Sequence, residues 1–113
     1  MRIEWTDRAV RGKQNVADYI RDRFGFKHKR KFVQEVDRTA RMLMKHPNMG
    51  PVEPLLADLP KTYHSVVIGG LSKMVYYIEE DEKVIYVAAF WDCRREPNKQ
   101  REQTIARDEF AES

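Results

Sequence analysis

Residues 62–91, TYHSVVIGGLSKMVYYIEEDEKVIYVAAFW, decide the fold. Three runs rich in β-branched and aromatic residues, TYHSVVI, KMVYYI and VIYVAAFW, are separated by the turn-forming segments GGLS and EEDEK. Such an alternation reads as an antiparallel meander of three strands. The last run is apolar at almost every position, so an interior strand covered on both faces, or a central one packed against the helices, is expected. It leads into DCRREP, residues 92–97, where a carboxylate, a thiol and two arginines stand in place of ordinary turn residues.

Upstream of the meander the period changes. Residues 2–5, RIEW, alternate polar and apolar as a short half-buried strand does. Thr6 and Asp7 supply helix-start chemistry, a hydroxyl that accepts from a free amide and a carboxylate suited to the positive helix end. Ala9, Val16, Tyr19, Ile20 and Phe24 then fall at helical spacing, and Gly25 ends the helix. A second stripe, Phe32, Val33, Val36, Ala40, Leu43 and Met44, runs until Pro47 forbids its continuation. The short break at Gly25 makes the two helices an antiparallel hairpin. Residues 47–62 hold four of the five prolines and read as a loop with a short helical turn at Leu55–Leu59.

The expected architecture is therefore a single α+β domain, β-α-α-β-β-β, with a helical hairpin packed on a small, mainly antiparallel sheet. It occupies residues 1–97. The other face of the sheet, or its rim, is left for function. Residues 98–113 form a polar tail with only Ile105 and Phe110 to bury, read as a short helix or disordered.

A chain of 113 residues can form one core without a disulfide or metal staple. Cys93 is the single cysteine and no apolar run is long enough to span a membrane, so a cytoplasmic location is expected. The net charge of +3, with a pI near 9.1, is mild. Its distribution is not: Arg8 to Lys45 carry 12 Lys or Arg against four carboxylates, a local +8. The remainder of the chain is acidic.

IEWTDRA at the start, DYI in the first helix, Phe32 and Val36 in the second, HPNMG in the loop, KMVYYI and VIYVAAFWDCRREP, taken in this order, resemble the RelE/ParE superfamily of bacterial type II toxin–antitoxin systems. The resemblance spans residues 2–97. It implies a small cytoplasmic toxin of the plasmid-stabilisation type, neutralised by a cognate antitoxin encoded beside it. RelE-like members are similar to ribosome-dependent ribonucleases that cut mRNA without a metal. ParE-like members inhibit DNA gyrase and need no catalytic residue. The leading expectation is an mRNA endoribonuclease; the alternatives are a gyrase inhibitor and a non-toxic nucleic-acid-binding module of the same fold. The resemblance implies no cofactor and leaves a homodimer open.

Metal-free RNA cleavage needs a base for the 2′-hydroxyl, cations for the charge developing on phosphorus, and an acid for the leaving oxygen. Arg94 and Arg95 stand where the family places cationic residues, and a guanidinium grips phosphate through two bonds. Solvated or locally paired arginines are the plainer reading. His64 lies near where RelE-like nucleases carry an arginine; it is a candidate acid or base, or a half-exposed structural residue. Glu53, in the loop, is the alternative base. Many RelE-like nucleases also end in a Tyr or His shortly after the last strand, and neither follows Arg95 here. Either Glu53 and His64 share the proton work or the chain does not cut RNA.

Lys27, Lys29, Arg30 and Lys31 stand at the start of the second helix, where cations oppose the helix dipole. With Lys61 they are candidate nucleic-acid contacts; a solvated helix face and a landing site for an acidic antitoxin segment are the other readings. Cys93 has no histidine beside it in sequence to act as base, and His28, His46 and His64 lack metal-site spacing, so no metal is expected.

Overall fold

A computed structural model describes residues 1–93. The elements are β1 (Arg2–Trp5), α1 (Asp7–Phe24), α2 (Phe26–Lys45), β2 (His64–Ile68), β3 (Ser72–Glu79) and β4 (Val84–Asp92), with a 3-10 turn at Pro54–Leu56. The order is the expected one, in an α+β domain. The four strands form one sheet in the order β1-β4-β3-β2. β2, β3 and β4 are the antiparallel meander, and β1 joins β4 in parallel, Ile3 opposite Ile85, which makes the sheet mixed.

Local chemistry sets the helix ends where the sequence places them. The Thr6 side chain caps α1 by accepting from the Ala9 amide at 3.2 Å. Gly25 separates the helices alone, with φ +94°, a conformation that a Cβ would strain. Its amide closes α1 on the Arg21 carbonyl and its own carbonyl accepts from Lys29 in α2.

β4 is buried on both sides. Ile85, Val87 and Phe90 face the helices and pack with Ala9, Val16, Ile20, Phe32, Val36 and Leu43. Ala88, Ala89 and Trp91 face the opposite way and pack with Leu56, Tyr63 and Val75, with Leu55 and Leu59 against them. Two successive alanines share a face because the register slips: Val75 opposes Ala89 while Tyr76 opposes Val87, which leaves Ala88 as the extra residue of a β-bulge. The Thr6 hydroxyl sits 3.0 Å from both the Val87 and the Ala88 carbonyl oxygens and donates at that kink, and the Thr6 amide donates to Val87 at 3.1 Å. The second face is thus half covered by the proline-rich loop rather than left open, because Leu55, Leu56, Leu59 and Tyr63 need somewhere to bury.

α1 lies close enough to β4 that position 12 admits no side chain. A Cβ on Gly12 would overlap the Phe90 carbonyl oxygen, part of a rigid strand. Alanine in a helix otherwise gains about 1 kcal/mol over glycine. Here the clash with backbone outweighs that gain, so Gly12→Ala is expected to destabilise the fold by about 1–3 kcal/mol. Urea unfolding of the two proteins measures the difference.

Candidate functional site

The sheet register fixes where the candidate residues can meet. His64 pairs with Tyr76, which pairs with Val87, whereas β4 ends at Asp92, opposite Ser72. Five residues of strand separate these levels, about 16 Å at ~3.3 Å per residue. Arg94 and Arg95 lie outside the described residues, and so does the tail from residue 98.

His64 opens β2 beneath the loop that follows α2. Its ring stacks on Tyr76, centroids 5.3 Å apart. Nδ1 lies 2.8 Å from the Gly50 carbonyl oxygen, so it carries a proton and donates there. Tyr76 completes the anchor: its hydroxyl donates to the Pro47 carbonyl at 2.7 Å and accepts from the Gly50 amide at 3.0 Å. Burial pushes the Tyr76 phenol above its ordinary value, keeping it a donor through the neutral range.

His64 also lines a cleft of 320 Å³ with Asn48, Thr62, Tyr77 and Ile78. This notch exists because β3 continues past Tyr76, the last residue to pair with β2. Lys61 shares the cleft, its ammonium 4.5 Å from the centre of the Tyr77 ring, but so do Glu79 and Glu80. Beside His64 the cleft holds two carboxylates and one ammonium, which disfavours a phosphate chain.

Glu53 is elsewhere and enclosed. It is 0 % exposed. The Ser65 hydroxyl donates to Oε2 at 2.5 Å, and the Lys73 ammonium lies 3.1 Å from each carboxylate oxygen. Its amide donates to the Tyr63 carbonyl at 2.8 Å. This pair, with Glu53 buried and Lys73 part-buried, ties the proline-rich loop to β2 and β3. Cys93 stands near the same charges, and burial pushes its thiol up, away from the thiolate that a nucleophile requires.

The five candidate nucleic-acid contacts divide. Lys27, Lys29, Arg30 and Lys31 lie on the first turns of α2 at the hairpin tip. The far end of α2 is fixed at the opposite end of the sheet, where the N-terminal ammonium donates to the Met44 carbonyl at 3.0 Å and Arg2 pairs with Val84. Lys61, beside Glu79 and Glu80, belongs to that opposite end. A helix of 20 residues spans about 30 Å, so Lys61 and the tip are separate surfaces. Among the described residues no cluster of three metal-binding side chains occurs. No described helix is long and apolar enough to cross a membrane.

The profile of the family described as ParE toxin of type II toxin-antitoxin system, parDE, matches residues 3–97. The chain belongs to the ParE toxin family. Its fold is similar to that of a chain from the chromosomal ParDE TA system of P. aeruginosa, with a TM-score of 0.65 at 17% identity, covering 81% of this chain and 95% of that one. No curated protein matches it. The sequence reading of a RelE/ParE-like chain therefore holds. The site it missed is the Glu53–Lys73 pair, whose only signals were a lysine and a serine, Lys73 and Ser65, inside otherwise apolar strands.

Removing the cation alone strands a buried carboxylate with one hydroxyl donor. Lys73→Met is expected to cost about 3 kcal/mol, and adding Glu53→Gln to it to recover much of that loss. Denaturant midpoints of the single and double variants check both expectations.

Proposed function

We propose that this ParE-family chain arrests growth in the cytoplasm by binding DNA gyrase, without catalysis, and that a cognate antitoxin switches it off. The burial of Glu53 is the observation that carries this reading. A general base must reach within hydrogen-bonding distance of the proton it takes. Glu53 is sealed from solvent, and both of its oxygens already face Lys73 and Ser65. The family match over residues 3–97 supports the toxin role. The antitoxin is proposed from that family and from the ParDE system named for the similar structure.

The second reading, ribosome-dependent mRNA cleavage, is favoured by one observation: His64 lines a cleft together with a lysine. One ring nitrogen is already committed to Gly50, which leaves Nε2 for proton transfer. A single imidazole position serves as base or as acid, and the cleft's two carboxylates oppose the substrate's charge. Arg94 and Arg95 become binding residues for gyrase or the antitoxin under the first reading, and phosphate ligands under the second.

Two assays on the purified protein separate the readings: gyrase supercoiling of a relaxed plasmid, and integrity of a defined mRNA with and without ribosomes. Inhibited supercoiling with intact mRNA is expected. His64→Gln is expected to leave the inhibition unchanged. Message cut only when ribosomes are present, with gyrase unaffected, would replace the first reading by the second.

A further inference from the structure

The tip of the helical hairpin holds two features that the fold does not use. The first is aromatic. Phe24 is 57% exposed and Phe26 68%, and they flank Gly25 at the apex. Nothing lies within 4 Å of the place a Cβ would occupy on Gly25, so the apex stands clear of the described chain. The Phe24 ring lies 5.8 Å from the His28 ring and is tilted to it. Phe24 lies at core spacing in α1, but the helix has by then outrun the sheet.

The second feature is charge. From Arg23 to Gln34 there is no carboxylate, and Arg23, Lys27, Lys29, Arg30 and Lys31 all lie in that stretch. Among the described residues, Lys29 alone within Lys27–Lys31 lies within 4 Å of a carboxylate, Asp18 at 3.9 Å. α2 has no acidic residue in its first turn and no side-chain cap, so these cations oppose the positive end of the helix. Exposed rings and uncompensated cations at one apex match a single ligand chemistry, a polyanion whose units also present stackable faces.

We propose that the hairpin tip contacts duplex DNA, with Lys27, Arg30 and Lys31 on phosphates and Phe24 and Phe26 wedged against a base step. The shape of the tip favours this over an acidic peptide. Two helices meeting through one residue make a convex apex, which cannot enclose a peptide but can bury its rings by entering a groove. It also favours DNA over duplex RNA, whose deep groove is too narrow to admit a helical hairpin. The proposal does not depend on gyrase, since it is tested on DNA alone.

The test is binding of the full chain to a short DNA duplex carrying 2-aminopurine at one step, titrated at several salt concentrations. Brightening of the probe on binding is expected, because a wedge unstacks the base and a purely electrostatic contact does not. Phe24→Ala with Phe26→Ala should weaken binding about tenfold and abolish the brightening with the salt slope unchanged. Lys27→Gln with Lys31→Gln should lower the slope of log K against log salt by about 2. All four side chains are exposed or nearly so, and thermal melting of each variant verifies that the fold persists. Unchanged affinity in the phenylalanine variant, a dark probe at saturation, or tighter binding of duplex RNA or of a polyglutamate peptide would overturn the proposal.

Discussion

The structure depends on a strand that must be buried on both faces and that changes face half-way. In β4 the parity switches at Ala88, so that Val87 and Phe90 reach the helices while Ala89 and Trp91 reach the loop. A bulge leaves carbonyl groups out of the regular ladder, and Thr6 meets those of Val87 and Ala88 with its hydroxyl while the same oxygen caps α1. One side chain therefore joins the start of the first helix to the kink of the central strand. The absence of a side chain at Gly12 then lets α1 lie down on Phe90. Shift the bulge by one residue and either the helical core or the loop core loses its apolar partners.

Much of this was legible because the local signals agree. Thr6 before Asp7, Gly25 between two stripes and Pro47 after the second each mark an end that the structure keeps. The meander was legible from its turn segments. The bulge was not, since a run such as VIYVAAFW is apolar at both parities and its period carries no register. The parallel pairing of β1 with β4 was equally silent, being a long-range choice between two edges. Glu53 read as a loop carboxylate and an alternative base, because connecting segments usually run over the surface. Its burial is tertiary: Ser65 and Lys73 come from two strands to meet it, and neither is near it in sequence.

The same long-range geometry separates the functional surfaces. The cationic tip and the His64 cleft lie at opposite ends of the molecule, and Glu53 lies inside it. A catalytic site for phosphodiester chemistry gathers base, acid and cations around one atom. Among the described residues only His64 and Lys61 share a cleft, while Glu53 and the hairpin cations stand apart from them, which suits a protein that works by presenting surfaces to partners.

That claim, arrest by binding rather than by chemistry, is tested most directly by expressing the Glu53→Gln/Lys73→Met double variant in cells without antitoxin and following growth. The pair is replaced by groups of similar shape, so the loop stays anchored while the carboxylate is gone. Arrest equal to that of the unaltered chain is the result this account predicts. Normal growth, with the variant present at the same level and melting at the same temperature, would contradict it and return Glu53 to the chemistry.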